Sequence, residues 1–329
     1  MARSSFNVAT FNLFNLVLPN VSYYGDQQYT PEIYNRKVNW IGHQLTRLDA
    51  DIVGFQEVFH EQALKDALAA SDRDRTGTLV VANPTGDKPA VALASSFPLH
   101  SVKVIQDFPV SARLDLEGTE IPITGFSHPV LWAHVTLSDR VECLVVVVHL
   151  KSKRPIFPEG VDYRDPVERA KGQARALVLR AAEATALRVL LMEHLQHRDY
   201  PVIVLGDLND SGLAVTSRLL SGEPPHKGMW QQHKKAIWDV LLYYVKDIQA
   251  RQSYGDFYYT HIHNGYYESL DHILVSQEFV AQNPRRVGRV RYLAVFNDHL
   301  VDESLSDKGV EPWKSDHGQA VATIELESV

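Results

Sequence analysis

The chain has 329 residues, 45% of them hydrophobic and 22% charged, the balance of a folded globular protein rather than of a disordered or fibrous one. Its formal net charge of −7 gives no overall electrostatic footprint for avid, sequence-indifferent nucleic-acid binding, although a local basic strip can still hold phosphates. A single cysteine, Cys143, excludes an internal disulfide and a cysteine-rich zinc site, and no apolar run approaches the length of a membrane span.

In chain order, the start Met1–Asn7 has no apolar core of a secretory signal, so a cytoplasmic protein is expected. A strand-like run Phe6–Phe11 ends on Asn12. Thr30 and Pro31 form a cap and first-turn pair before Tyr34, Val38, Ile41, Leu45 and Leu48, whose spacing of four and three predicts an amphipathic helix. Strand-like runs follow at Asp51–Phe55, which leads into Gln56-Glu57, and at Leu79–Ala82, Ala90–Ala94 and Leu131–Leu137. The run Glu142–Val148 contains Cys143, expected as a buried thiol, and ends on His149. Asp165-Pro166-Val167-Glu168 opens a long helix toward His194. Pro201–Gly206 then leads into Asp207-Leu208-Asn209, Asp271 precedes His272–Val275, and Ser315-Asp316-His317 precedes Gln319–Glu325. So many strands predict more than one sheet, and no repeat or linker-like tract divides the chain, so a single domain over 1–329 is expected.

Four of these strands end in polar groups that catalysis uses, and two begin with them. Antiparallel pairing brings such beginnings to the same edge as the endings, so one rim can collect all six segments. Collecting Glu57, Asp207, Asp271 and Asp316 there has an electrostatic cost: two carboxylates about 5 Å apart repel by roughly 3 kcal/mol at an effective dielectric of about 20. A cation or a proton must relieve it. Oxygen donors with no thiolate suit a hard ion such as Mg²⁺ or Mn²⁺, and point to metal-assisted phosphoryl hydrolysis, in which a carboxylate or histidine directs water.

Each residue also has a plainer reading. Asn12 alone reads as a strand-end cap, Glu57 as a solvated carboxylate, Gly206-Asp207-Leu208-Asn209-Asp210 as a turn and His149 as a sheet-edge histidine. Lys151, Lys153 and Arg154 read equally as a solvated loop or as a phosphate clamp beside His149. A second Asp-His doublet, Asp298-His299, leads into the polar stretch Asp302–Lys308 and is expected in a loop. His261-Ile262-His263 has a spacing able to bind zinc, but an exposed polar strand face is favoured. No nucleophile elbow, P-loop or dinucleotide fingerprint occurs.

Taken together, Thr10-Phe11-Asn12, Gln56-Glu57, His149-Leu150-Lys151-Ser152, Gly206-Asp207-Leu208-Asn209, Leu270-Asp271-His272-Ile273 and Ser315-Asp316-His317 resemble, in order and over nearly the whole chain, the motifs of the endonuclease/exonuclease/phosphatase superfamily. Val91–Pro98 is similar to the segment between the Glu and His motifs and is given no catalytic role. His149–Lys153 and Arg169–Ala174 are similar to bacterial members. The resemblance implies an α/β fold, a four-layered sandwich of two packed mixed β-sheets flanked by helices. It implies that Asn12, Glu57 and Asp316 hold or orient the metal, that Asp207 and Asn209 position the water and the scissile phosphate, that His149 contacts the phosphate or leaving oxygen, and that Asp271 orients His317.

The expected activity is Mg²⁺- or Mn²⁺-dependent phosphodiester hydrolysis, with a nuclease on DNA or RNA as the leading form and Lys151 and Lys153 as substrate contacts. A phosphodiester, with nucleic acid as its leading form, is the expected partner, with no protein partner evident. Phosphomonoesterase or phospholipase C-type activity on inositol phosphates or sphingomyelin, a silent phosphate-binding scaffold, and a zinc hydrolase built on His261 and His263 are the alternatives.

Overall fold

The computed structural model describes residues 5–72, 77–83, 85–197, 200–251, 258–305 and 309–327; the expected leaderless start, at 1–4, and the end of the polar stretch, at 306–308, lie outside them. The strands at the centre are apolar on both faces because both faces are covered. In β1 (Ser5–Leu16), Phe6 and Val8 point to one side and Ala9 and Phe11 to the other; in β9 (Val141–His149), Val145 and Val147 alternate with Val146 and Val148. Such runs read as near-continuous hydrophobic stretches rather than as alternating ones.

Among the described residues, one six-stranded sheet has the order β15 (Gly288–Phe296), β16 (Gln319–Leu326), β1, β2 (Ile52–Val58), β4 (Ala90–Ser95), β3 (Thr78–Val81). The other has the order β11 (Leu242–Tyr244), β14 (Asp271–Ser276), β10 (Val202–Asp207), β9, β8 (Gly125–Ser138), β5 (Leu99–Asp107). Each is mixed: β1 runs parallel to β2 and β9 parallel to β10, and the other pairings are antiparallel. Two short hairpins, β6 (Asp115–Leu116) with β7 (Thr119–Glu120) and β12 (His261–His263) with β13 (Tyr266–Glu268), complete the strands.

Phe6, Val8, Ile52 and Leu93 of the first sheet meet Val145, Val147, Ile203 and Leu205 of the second in one core. Outside the first sheet, α1 (Pro31–Leu48) and α2 (Glu61–Ala69) cover Phe11 and Phe55 with Ile41, Leu45 and Leu64. Outside the second, α3 (Pro166–His197) lays Leu187 and Leu191 over Val146 and Val204. Short helices α4 (Val215–Ser221), α5 (Gln231–Trp238) and α6 (Val245–Ala250) follow β10. This is the four-layered α/β sandwich. Each fully buried Val, Leu, Ile or Phe contributes about 1.5–3 kcal/mol of transfer free energy, so the three clusters carry most of the drive to fold.

Two glycines set how closely the strands approach. A Cβ on Gly54 would lie 1.8 Å from Leu205 Cδ1, so the facing sheets meet there only because that side chain is absent. Gly206, at φ +148°, would bring a Cβ within 1.9 Å of the Val148 carbonyl oxygen, and it immediately precedes Asp207.

The α1 expectation holds in detail: the Thr30 hydroxyl accepts from the Ile33 N–H at 3.3 Å and Pro31 opens the helix. Asp165 Oδ1 accepts from the Val167 N–H at 3.0 Å before α3, which runs three residues past His194. Strand β1 continues past Asn12 to Leu16 through a register shift. The edge strands β5 and β15 escape the pattern: β5 is largely exposed, and in β15 a register shift between Val290 and Tyr292 interrupts the alternation of Arg289 and Arg291, which pair across to Glu325 of β16, with the core residues Val290 and Leu293.

Candidate active site

Parallel pairing brings the C-terminal ends of neighbouring strands together, and antiparallel pairing brings a beginning to an end. Asn12 therefore lies in register with Gln56, beside Glu57, while Asp207 is flanked by His149 on one side and Asp271 on the other. Asp316 and His317 enter the same rim from the loop before β16, held by Ser315, whose hydroxyl donates to the Asn12 carbonyl at 2.7 Å and accepts from the His317 N–H at 3.0 Å. All six sequence segments meet at this rim.

Asn12 is the bridge between the sheets: its Nδ2 donates to Glu57 Oε1 at 3.4 Å and to Asp207 Oδ2 at 3.2 Å, while Oδ1 accepts from the Phe14 N–H. Glu57 Oε2 accepts from the Asn15 N–H at 2.9 Å. Glu57, Phe14 and Asn15 all have left-handed backbones, at φ 61°, 50° and 59°. Such strain in non-glycine residues persists only where surrounding contacts over-determine it, and it clusters at functional sites. Across the rim, His317 Nδ1 hydrogen-bonds Asp271 Oδ2 at 2.8 Å, which leaves Nε2 facing Asp207 Oδ2 at 3.9 Å; His149 Nε2 faces that same oxygen at 3.7 Å. Asp207 Oδ1 accepts from the Asn209 N–H at 2.7 Å, and Asn209 Nδ2 donates to the Leu150 carbonyl at 2.9 Å.

Burial dominates the electrostatics. It pushes the Asp207 carboxyl up to about 7, opposed by His317 and assisted by Asp271. It also raises Glu57, with the charge of Asp316 next in importance. For His317 burial opposes the charged form, but Asp271 and Asp207 outweigh it and hold the imidazolium well above the usual histidine range. His149 is driven the other way, by burial and then by His128 and His317, and stays neutral. One carboxylate oxygen each of Asp271 and Asp316 is buried without a hydrogen-bond partner. Ligand atoms of Asp207, Asp271 and His317 lie within 4.8 Å of one another, as do those of His261, Asp316 and His317. Converging carboxylates with unsatisfied oxygens and no thiolate fit a hard divalent cation.

The lysines of the expected clamp are engaged within the protein. Lys151 Nζ donates to the Ser152 hydroxyl at 3.0 Å and to the Ser152 and Arg154 carbonyls, while Lys153 Nζ pairs with Glu268 at 2.7 Å and lies 3.7 Å from Asp210. The histidines at 261 and 263 part company. His261 is half-buried, donates from Nδ1 to the Asp316 carbonyl at 3.0 Å and lies ring to ring with His317 at 4.7 Å, whereas His263 is exposed and meets Asn264. His299 lies in a turn after β15, as expected of a loop, but its side chain is buried, packs on Trp40, and donates from Nε2 to the His317 carbonyl at 2.9 Å.

Other supports carried no sequence signal of their own. Lys37 of α1 is fully buried, its amine donating to the Phe14 carbonyl at 2.9 Å, and burial lowers it to about 8 against the pull of Glu57 and Asp316. Glu183 of α3 accepts from the Ser127 and Lys151 N–H groups, both at 2.6 Å, and Arg180 ties Asp210 to the Lys151 carbonyl. The His128 ring stacks flat on His149 at 4.1 Å. Thr260 Oγ1 accepts from the Asp271 N–H. Only the helical position of Lys37 on the apolar stripe between Tyr34 and Ile41 could have betrayed it.

The profile of the endonuclease/exonuclease/phosphatase family matches residues 5–317. The chain belongs to that family. Solved structures of the same fold include truncated TDP2 of Caenorhabditis elegans (14% identity, TM-score 0.58, covering 98% of each chain). A family protein of Bacteroides vulgatus has 13% identity and a TM-score of 0.58, covering 99% of this chain and 100% of that one. The human Nocturnin catalytic domain with bound sulfate anion has 16% identity and a TM-score of 0.57, covering 99% and 96%. No curated protein matches the chain. Enzymes of the endonuclease/exonuclease/phosphatase family are generally divalent-metal-dependent phosphoesterases, and the carboxylate and histidine groups at this rim could hold such an ion. Among the described residues no helix is long and apolar enough to cross a membrane.

Proposed function

We propose that the chain is a Mg²⁺- or Mn²⁺-dependent phosphodiesterase, with a nuclease on DNA or RNA as its leading form, and that residues 1–329 act as one cytoplasmic domain because both sheets contribute to one rim. The observation that carries this reading is the 2.8 Å Asp271–His317 pair, whose free imidazole nitrogen faces Asp207. Glu57 and Asp316 would hold the ion, with Asn12 orienting Glu57 toward Asp207. When bound, the ion polarises the phosphoryl oxygens and offsets the carboxylate repulsion.

The protein's own groups divide the remaining work. Asp271 fixes the His317 tautomer, so that Nε2–H of a charged imidazolium points at the site and donates to a phosphoryl oxygen. Asp207, anchored through Oδ1 by Asn209, keeps Oδ2 available to accept a proton from an attacking water. Neutral His149, held in plane by His128, hydrogen-bonds the phosphate or leaving oxygen. The similarity of the His149–Lys153 segment to bacterial members is consistent with such a source.

A second reading, hydrolysis of a compact phosphate ester, gains from the internal engagement of Lys151 and Lys153, which leaves no ready clamp for a polymer backbone. Neutralising Lys151, Lys153 and Arg154 together separates the two. If they track a nucleic-acid backbone, DNA or RNA cleavage weakens mainly through KM and loses salt dependence, while bis-p-nitrophenyl phosphate hydrolysis hardly changes. Equal loss on both substrates, with a salt-insensitive preference for monoesters, contradicts the nuclease form.

A further inference from the structure

At the opposite end of the second sheet lies a group of metal-capable side chains that the phosphoesterase site does not use. His100 of β5 pairs in register with His134 of β8, and Glu142 of β9 pairs with Thr136, one step further along the same face of β8. Seven residue steps along β9 take the chain from Glu142 to His149, about 23 Å at roughly 3.3 Å per step, so the two sites are independent. Ligand atoms of His100, His134 and Glu142 all lie within 4.8 Å of one another, and His100 Nε2 is 3.5 Å from Glu142 Oε1.

The backbone is shaped to make this arrangement. Strand β5 bulges between His100 and Lys103, and Ser101 within the bulge has φ 49°, a left-handed conformation that only a specific local geometry imposes on serine. A bulge re-aims the neighbouring side chain, and here it brings the His100 ring to 5.6 Å from that of His134. The side chains of His100 and Glu142 remain 41% and 52% exposed, so an ion has access and a water position stays open. The charge of Lys103, which reaches His134, opposes a cation, and Glu142 offsets it.

We propose that His100, His134 and Glu142 form a second metal site, specific for zinc-class ions, that clips the edge strand β5 to β8 and β9. Two imidazoles and one carboxylate suit Zn²⁺ over Mg²⁺ or Ca²⁺. Tetrahedral zinc with bonds of about 2.0–2.1 Å separates its ligand atoms by roughly 3.4 Å, so the group closes by side-chain rotation of about an ångström without moving a strand. The ion bridges three strands at the sheet edge, where unpaired backbone otherwise frays.

The test is calorimetric titration of the chelator-stripped full chain with ZnCl₂ in millimolar MgCl₂, comparing wild type with His100→Ala, Glu142→Gln and the double variant. Both residues are surface-accessible, so the variants keep the fold, and their Mg²⁺-dependent hydrolysis stays at the wild-type level. Wild type binds one more zinc equivalent than the double variant, and each single variant weakens that equivalent about tenfold or more. At zinc near 100 times its dissociation constant, the wild-type unfolding midpoint rises by roughly 4 °C and that of the double variant does not. Zinc taken up at the phosphoesterase rim survives both substitutions. Identical isotherms for wild type and double variant, or no zinc uptake, overturn the proposal.

Discussion

At the scale of single residues, the two Asp-His doublets have different contacts. His317 makes the side-chain contact with Asp271 and faces Asp207, so His317→Ala should lose about 10²-fold to 10⁴-fold in rate if it works on the proton or the phosphate. His299 packs on Trp40 and meets His317 only through its carbonyl, and His299→Ala should cost about 1–3 kcal/mol in stability with a much smaller loss of rate. Steady-state kinetics with chemical denaturation on both variants checks this pair, and a reversed order of rate losses means the doublets have been assigned the wrong way round. Lys37 makes a separate prediction. Its folded value of about 8 lies below the ordinary 10.5, so between these the unfolded chain binds the extra proton and the wild type gains stability as pH rises. Relative to Lys37→Met, wild type should therefore be disfavoured at pH 7 and recover toward pH 10, while the variant, having released Phe14, loses roughly tenfold to a hundredfold in rate. A stability difference that stays flat with pH removes the buried-amine account. Asn12, Glu57, Asp207, Asp271 and His317 were legible because strand ends followed by polar residues are visible in one dimension. Lys37, His128 and Glu183 were not, because each acts through a neighbour that is distant in sequence.

Among the elements, those at the sheet centres and the two capped helices could be read from the chain, since burial on both faces and Thr30-Pro31 or Asp165-Pro166 leave local marks. The edge strands β5 and β15 could not, because β5 is largely exposed, a register shift interrupts the alternation of β15 after Val290, and the partners of both lie far along the chain. The tight approach of the two sheets was equally hidden, since Gly54 matters only against Leu205. Gly54→Ala should cost about 1–3 kcal/mol by overpacking. Gly206→Ala should cost more, since strand β9 backbone rather than a flexible side chain opposes it, and should displace Asp207 as well; thermal unfolding with kinetics on the folded fraction measures both, and a neutral Gly206→Ala would mean that the β9–β10 approach is not needed to place the site. Helix α3 acts on the rim through Glu183. Glu183→Ala leaves the Ser127 and Lys151 N–H groups unpaired and should destabilise the chain by about 2–4 kcal/mol, read by urea denaturation.

On the scale of the whole molecule, the sandwich converts six separated segments into one rim because each sheet places a parallel pair at its centre and an antiparallel strand beside it. The cost of that convergence is a set of buried carboxylates whose repulsion a cation or a proton must relieve. The most direct measurement is hydrolysis of bis-p-nitrophenyl phosphate by wild type and Glu57→Gln, in excess chelator and then with Mg²⁺ or Mn²⁺ restored. The account predicts no wild-type turnover in chelator, recovery with the added ion, and a Glu57→Gln enzyme that recovers poorly. Full turnover in chelator, undiminished in Glu57→Gln, would contradict it.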